Sequence, residues 1–182
     1  MNIAGEDYSS ALGSASFGGH KEVVQMLLEN GADVNIAGGY YGSALGSASF
    51  GGHKEVVQML LENGADVNIA GGHYGSVLGL ASARGHKEVV QILLKNGADV
   101  NSLGGGNRSP LRLSSTYGYV SIAQILLDHG ADVNLKHEDG RSALKCARVG
   151  SHEAIVRLLL EHGADPDVMT LHRWTLHSND GV

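Results

Sequence analysis

Histidines and carboxylates are the residues of this chain that could do chemistry, because imidazole and carboxylate groups bind metals and transfer protons. The chain has 182 residues, of which ten are histidines. Three of these, His20, His53 and His86, follow one another at a constant step of 33 residues. A step of this size places them on successive copies of one unit, so they do not converge on a single ion. We predict that they are turn residues that open a helix, and that the chain has no metal site and needs no cofactor.

The other reactive groups offer no better basis for catalysis. Cys146 is the single cysteine and falls in the middle of a predicted helix, where a buried and inert thiol is expected. The glycine-rich segment 103–107 lacks the Lys-Ser/Thr pair that follows a phosphate-binding loop. Aspartates recur at the 33-residue step, as scaffold positions do and acid–base pairs do not: Asp33, Asp66, Asp99 and Asp132. The sequence therefore predicts that the protein is not an enzyme.

The strongest pattern is the hexapeptide Asn-Gly-Ala-Asp-Val-Asn, which occurs at residues 30–35, 63–68 and 96–101, with close variants at 129–134 and 162–167. A fixed period indicates a stacked array, in which each unit buries its apolar face on its neighbours. We interpret residues 1–182 as one domain, with residues 168–182 as a partial sixth unit or a frayed tail. The predicted full units are 3–35, 36–68, 69–101, 102–134 and 135–167.

Each unit is predicted to contain a helix, a turn, a second helix and a hairpin-like loop. In unit 36–68, Ser43 is the expected N-cap of the first helix, because its hydroxyl can accept a bond from a free backbone N–H. Gly51 and Gly52 are expected to break that helix, since glycine tolerates the positive φ of a tight turn. Glycines inside the first helices, such as Gly46, are expected to cost about 1 kcal/mol each relative to alanine.

These residues resemble the ankyrin repeat. Ser109-Pro110-Leu111 is similar to the start of the family's motif, Gly52-His53 is similar to its turn, and Gly-Ala-Asp-Val-Asn is its ending. The resemblance covers about residues 3–167 and implies an all-α solenoid of stacked helix-turn-helix units joined by β-hairpin-like loops. The Gly-Gly-Tyr-Tyr-Gly-Ser-Ala-Leu segment is similar to fungal ankyrin arrays, which often follow a nucleotide-binding signalling region.

The chain departs from the family's motif at two positions. The motif's histidine is replaced, so we expect its side-chain bond to the backbone to be absent; the replacing residues are Gly13, Gly46, Gly79, Arg112 and Lys145. Tyrosine takes the usual place of glycine in three hairpins, at Tyr8, Tyr41 and Tyr74.

Positions that vary between units are the candidate binding residues. They fall at the hairpin tips and at the ends of the first helices, and the resemblance implies that both line one concave groove. Tyrosine, phenylalanine and arginine suit binding because they supply contact area and charge-assisted hydrogen bonds. Arg84 and Arg108 form a predicted central basic patch for a partner with an alternating charged surface or an extended segment. The candidate partner-binding residues are Asp7, Phe17, Tyr40, Phe50, His73, Arg84, Arg108, Tyr117, Glu138, Asp139 and Arg141.

Two other readings of these positions remain open. Hairpin tips also vary simply because loops tolerate substitution. Phe17 and Phe50 could equally pack beneath a neighbouring hairpin.

Charge and hydropathy reduce the classes of partner that we expect. The net charge is −6 and no run of lysine and arginine appears, so double-stranded nucleic acid is not an expected partner. The apolar runs are too short to cross a bilayer, and no membrane partner is expected. The lone cysteine and the absence of a recognisable signal peptide predict an intracellular, cytoplasmic protein, with the nucleus left open.

The expected function is therefore that of a non-enzymatic protein–protein interaction module, or scaffold, that binds another protein through the groove. One alternative is a sensor or regulatory array of a larger nucleotide-binding signalling receptor. Another is a structural spacer that associates weakly through uncapped ends. Because the chain begins within a repeat and Trp174 opens a broken sixth unit, we expect the array to be incomplete.

Overall fold

The computed structural model describes residues 10–72, 75–104 and 106–166, and within them the chain forms successive pairs of short helices. The expectations about Asp7, His73 and the tail at 168–182 lie outside the described residues. In chain order the helices are α1 (Ala11–Phe17), α2 (Lys21–Glu29), α3 (Ala44–Gly51), α4 (Lys54–Glu62), α5 (Val77–Arg84), α6 (Lys87–Lys95), α7 (Pro110–Tyr117), α8 (Val120–Asp128), α9 (Ala143–Val149) and α10 (Glu153–Glu161).

The helix ends follow the local rules that the sequence indicated. Ser43 precedes α3, and its Oγ accepts a hydrogen bond of 2.9 Å from the backbone N–H of Gly46. The helix stops where Gly52 adopts a φ of 76°, in the left-handed region that favours glycine. The N-cap predictions are confirmed at Ser10, Ser43, Ser76, Ser109 and Ser142.

The helices stack in two rows around one continuous thin core. The first helix of each pair packs on the first helix of the next, and the second helices form the other row. Buried leucines such as Leu45 and Leu78 connect the units from the first row, and Leu60 and Leu93 do so from the second. First helices contact one another more extensively than second helices do. The first helices therefore pack more closely on one another than the second helices do, and we call their side of the stack the inner side.

The connections between pairs are hairpin-like, as predicted. Ala70 and Ser76 form an antiparallel bridge, and Gly71 and Gly75 exchange backbone hydrogen bonds of 3.2 and 3.3 Å. The all-α fold class is confirmed, because within the described ranges this bridge is isolated and belongs to no strand. Each helix in the described part of the chain also falls short of the length and apolarity needed to cross a bilayer.

A ladder of asparagines joins each unit to the next. Asn68 donates from Nδ2 to the carbonyl of Gly97 at 3.2 Å, and its Oδ1 accepts the backbone N–H of Asp99 at 2.9 Å. Asp66 orients this residue by accepting the N–H of Asn68 on Oδ1 at 2.9 Å. The same bridges start from Asn35, Asn101 and Asn134. The sequence interpretation of these asparagines and aspartates as scaffold residues is confirmed.

Replacing Asn68 by alanine is expected to weaken the coupling between two units. Two hydrogen bonds across the stack are lost, each worth about 0.5–1.5 kcal/mol, so we expect the free energy of unfolding to fall by about 1–2 kcal/mol. Asn63→Ala is the matched control, because this equally exposed asparagine bonds only within its own helix, to the carbonyl of Met59 at 2.8 Å. Urea unfolding followed by circular dichroism compares the two; equal losses would contradict the bridging role.

The structure corrects the interpretation of Gly46 as merely a weak helix residue. A Cβ at this position would lie 2.1 Å from the carbonyl oxygen of Tyr41 and 3.2 Å from Cδ1 of Leu80. The chain preceding α3 therefore passes so close to its first turn that only a glycine fits. Because residue 46 has no side chain, Tyr41 can lie in the inner face of the stack.

Candidate functional site

The inner face of the stack brings the predicted hairpin-tip and helix-end residues to one side, and we call this surface the inner groove. We define it by the exposed and half-buried side chains of the hairpins and of the ends of the first helices. Within the described residues it comprises Phe17, Tyr40, Tyr41, Phe50, Arg84, Arg108, Tyr117, Glu138, Asp139, Arg141, Lys145 and Val149.

An aromatic ladder forms the part of the inner groove nearest the N-terminus. The Tyr41 ring packs against both Phe17 and Phe50, with centroid distances of 5.3 and 4.4 Å, and the two phenylalanine rings stack on each other at 6.3 Å. Tyr40 meets Tyr41 edge to face at 5.1 Å and is exposed over nearly half of its surface. Phe17 therefore packs against the hairpin of the next unit, as one of the open readings held, whereas Phe50 packs against the hairpin of its own unit. They also present a continuous aromatic strip to the groove.

Arginines occupy the middle of the inner groove. The guanidinium of Arg84 lies 4.6 Å above the ring of Phe50, in a cation–π contact that extends the aromatic ladder. Arg108 is exposed at the next hairpin tip. Tyr117 is exposed over nearly half of its surface at the end of α7. Tyr40 and Arg108 are thus exposed in hairpins, and Arg84 and Tyr117 are exposed at the last residues of α5 and α7, which belong to the first-helix row.

Arg112 takes the position of the family's motif histidine and binds the next hairpin rather than the backbone. Its guanidinium forms two parallel hydrogen bonds with the carboxylate of Asp139, one of them from Nη1 to Oδ1 at 2.8 Å. The Arg112 side chain is only 5% exposed, whereas that of Asp139 is 46% exposed. Asp139 was a candidate contact residue, and its carboxylate is engaged within the chain.

The electrostatics of this pair follow from its geometry. The hydrogen bonds from Arg112 lower the pKa of Asp139 from 3.8 to about 2, although partial burial acts in the opposite direction. Burial is the largest single effect on Arg112 and lowers its pKa, but the hydrogen bond and charge of Asp139 and the interactions with Cys146 together outweigh burial, so that pKa is raised overall. Both groups are therefore charged throughout the range in which proteins are ordinarily studied.

His137 is a buried residue that the sequence reasoning missed. Its Nε2 accepts the backbone N–H of Ser109 at 3.3 Å, which ties the hairpin before α9 to the N-cap of α7. Burial lowers the pKa of the imidazole, and the positive charge of Arg112 lowers it further, so the ring is held neutral. The sequence feature that could have indicated this role is the spacing between units, because His137 and Asp139 both contact residues 27–28 positions earlier.

The recurring histidines have the structural role predicted for them, with an added contact. His53 and His86 immediately precede α4 and α6, and their Nε2 atoms donate to the carbonyls of Phe17 and Phe50 at 2.8 and 2.9 Å. Each ring thereby satisfies a free carbonyl at the end of the preceding unit's first helix. No cluster of three histidine, cysteine or carboxylate residues within the described ranges has the geometry of a metal site.

The remaining candidate residues are exposed at the C-terminal part of the inner groove. Glu138 and Arg141 lie on the hairpin that precedes α9, and both side chains are exposed. Lys145 and Val149 follow on α9, are also exposed, and were not among the candidates. They could have been predicted in the same way as the other candidate residues, because the equivalent positions of the first helix differ between units.

Comparison with known proteins agrees with the repeat architecture. A family model described as Ankyrin repeats (3 copies) matches residues 1–71 and 75–170. A search of curated proteins found no match. Ankyrin repeats are generally non-enzymatic modules of protein–protein interaction. The family match covers most of the chain and coincides with its stacked helix pairs, and this chain therefore belongs to the ankyrin repeat family.

Proposed function

We propose that the chain is a non-enzymatic scaffold that binds another protein through the inner groove, with the aromatic and arginine side chains as its main contacts. The observation that carries the proposal is the alignment of Tyr40, Arg84, Arg108 and Tyr117 in solvent along one side of the stack. In this proposal residues 1–182 form one domain, built from units 3–35, 36–68, 69–101, 102–134 and 135–167.

The side chains of the inner groove suit a macromolecular partner. Tyrosine and arginine dominate binding energy at protein interfaces because they bury large areas and retain a polar group for hydrogen bonding. Here they stand on a rigid base, since Tyr41 and Phe50 are held by ring stacking and Arg84 by its contact with Phe50. A preorganised surface loses less conformational freedom on binding than flexible loops do.

The outer side of the stack is a weaker candidate. A pocket of about 490 Å³ lies between α2 and α4, but polar side chains of the second-helix row, including Gln25, Glu29, Gln58 and Glu62, make up most of its lining. This surface has the pattern of an ordinary solvated helix face. Exposed aromatic side chains of the described residues are found instead at Tyr40 and Tyr117.

Two groove variants test the proposal in affinity capture from a cell extract. One is Arg84→Glu/Arg108→Glu, which reverses the central basic patch, and the other is Tyr40→Ala/Tyr117→Ala, which removes the exposed rings. Partners recovered with the unaltered chain should bind each variant about tenfold more weakly, as expected when interface residues of this type are lost. The binding of each recovered partner is then measured by titration with purified chains.

Matched controls change the outer row in the same way. Lys95→Glu/Arg157→Glu makes the same change of net charge, and Met26→Ala/Val120→Ala removes exposed apolar side chains of the second helices. These variants should retain the affinity of the unaltered chain. Partners that bind the groove variants normally, or that lose affinity equally for the controls, would overturn the assignment of the groove.

A further inference from the structure

A small pocket lies within the inner groove, between the end of α7 and the exposed side of α9. Its volume is about 220 Å³, and its lining residues are Thr116, Arg141, Lys145, Cys146, Val149 and Gly150. Small-molecule and cofactor sites usually have volumes of about 300–1,000 Å³. The pocket is therefore of a size for one inserted side chain rather than for a cofactor.

Most of the pocket wall is apolar, and the polar atoms of Thr116 in it are already bonded. Thr116 donates from Oγ1 to the carbonyl of Arg112 at 2.8 Å, and its own carbonyl lies 3.1 Å from Nε2 of His152. Val149 is 81% exposed beside it, which is unusual for an aliphatic side chain of a helix. An inserted apolar side chain would cover Val149 without leaving a buried polar group unsatisfied.

Two cations flank this apolar wall. Arg141 and Lys145 are exposed, and neither forms an ion pair with a carboxylate among the described residues. The nearest hairpin acid in sequence, Asp139, is already held by Arg112. Glu138 is exposed on the same hairpin but pairs with neither cation in the described part of the chain. The charge of Arg141 helps to lower the pKa of Asp139, but neither Arg141 nor Lys145 is held in an ion pair with a carboxylate of the described residues, and both can bind a ligand.

We propose that this pocket binds an acidic peptide segment of a partner protein, with one aliphatic side chain inserted beside Val149 and flanking carboxylates bound by Arg141 and Lys145. The inference rests on the proposed function, because it names the kind of segment that the inner groove would receive. Its support is the joint presence of an apolar pocket and, at the pocket rim, two cations that form no ion pair with a carboxylate of the described residues.

Charge separation across the stack favours the same occupant. The chain as a whole has a net charge of −6, and the second helices expose glutamates such as Glu22, Glu55 and Glu88. The inner groove exposes the four cations Arg84, Arg108, Arg141 and Lys145 against the carboxylates Glu138 and Asp139, of which Asp139 is bound by Arg112. An acidic segment would therefore be repelled by the outer row and attracted to the groove, which fixes the side to which it docks.

The test is a titration of the isotopically labelled full chain with short, terminally blocked peptides, followed by amide NMR spectra. The probe has the core Glu-Glu-Leu-Glu-Glu, and three peptides differ from it: Gln-Gln-Leu-Gln-Gln, Lys-Lys-Leu-Lys-Lys and Glu-Glu-Asn-Glu-Glu. The acidic leucine peptide should shift the amide signals around Thr116, Lys145 and Val149. It should bind about tenfold more tightly than each of the other three, since one lost anchor or charge pair is worth about that factor.

Variants of the chain then separate this site from the rest of the groove. Arg141→Glu/Lys145→Glu and, independently, Val149→Asp should weaken the acidic peptide about tenfold, while Lys95→Glu/Arg157→Glu should not. Val149 is so exposed that its substitution leaves the fold intact, which amide spectra verify directly. Absence of shifts at these amides, or equal binding of the uncharged peptide, overturns the inference.

The same experiments also test the proposed function separately from the acidic-segment site. If a captured partner needs Arg84 and Tyr117 but binds Arg141→Glu/Lys145→Glu normally, the inner groove remains the binding surface and the acidic-segment site is wrong. If the peptide binds at the pocket but the captured partners bind all groove variants with unchanged affinity, the groove proposal is wrong.

Discussion

Gly46→Ala is expected to lower the free energy of unfolding by about 3 kcal/mol, although alanine is the better helix former. The added methyl would lie 2.1 Å from the carbonyl oxygen of Tyr41, and this backbone atom cannot swing aside as a side chain can. Overpacking of a well-packed site typically costs about 1–3 kcal/mol, and a clash with backbone belongs at the upper end. The gain of about 1 kcal/mol from helix propensity is too small to compensate.

Ser49→Ala in the same helix is the matched control. The Oγ of Ser49 is buried and lacks a hydrogen-bond partner among the described residues, so its removal should stabilise the protein by about 1 kcal/mol. Urea unfolding of both variants, with near-ultraviolet circular dichroism to monitor the tyrosine environment, compares them. If Gly46→Ala proves as stable as the unaltered chain, the close approach of Tyr41 is not a constraint on this position.

The pairing of Gly46 with Tyr41 recurs in the sequence of the chain. Units with a tyrosine five residues earlier have glycine at this position, as Gly13 follows Tyr8 and Gly79 follows Tyr74. The fourth unit lacks that tyrosine and has Arg112 instead. This column of the repeat thus holds a hairpin in two ways, at the hairpin before the helix in unit 36–68 and at the following hairpin in unit 102–134, whereas the fifth unit has Lys145 there. Glycine admits an aromatic hairpin, and arginine binds an acidic one.

The repeat period and the helix boundaries could be predicted because they depend on local chemistry. The hydroxyl of Ser43 accepts the N–H of a residue only three positions away, and the glycine that ends a helix is needed because of its own positive φ angle. The core leucines followed from helical spacing alone. These features are repeated in every unit, so each copy of the motif supported the same interpretation.

The contacts between units could not be predicted in the same way. His53 reaches a carbonyl 36 residues earlier, and Arg112 reaches a carboxylate 27 residues later. Such pairs depend on how one unit is placed on the next, which single-unit patterns do not specify. Gly46 was misjudged for the same reason, since its constraint is the backbone of the preceding hairpin and not the helix in which it lies.

Asp139→Ala is expected to lower the free energy of unfolding by about 2 kcal/mol, because it leaves the guanidinium of Arg112 without its carboxylate. Breaking a fully buried ion pair costs about 3–5 kcal/mol. Here the carboxylate is 46% exposed, so water can reach the guanidinium in part, and the loss approaches that of hydrogen bonds to a charged group, about 1.5–3 kcal/mol. Arg112→Met is the matched control, since it removes the buried charge and returns Asp139 to solvent. It should cost about 1 kcal/mol or less.

The pH dependence of the difference between Asp139→Ala and the unaltered chain provides an independent check. The folded-state pKa of Asp139, about 2, lies below its ordinary value, so the pair stabilises the folded state fully above about pH 4. This contribution disappears as the pH falls from about 4 to 2, because the unfolded carboxyl then binds a proton that the folded one excludes. His137, whose pKa is also lowered, reduces stability as the pH falls below the ordinary histidine pKa of about 6.5, because the unfolded imidazole then binds a proton that the folded one excludes. The charge of Asp139 raises the pKa of His137, so Asp139→Ala enlarges this loss, and the difference between the two chains contains a His137 contribution below about pH 6.5. The difference between the urea midpoints should therefore be constant above about pH 7 and should disappear as the pH falls from about 4 to 2. A difference that persists in acid, or an Arg112→Met variant that loses as much stability as Asp139→Ala, would show that the ion pair does not hold this hairpin.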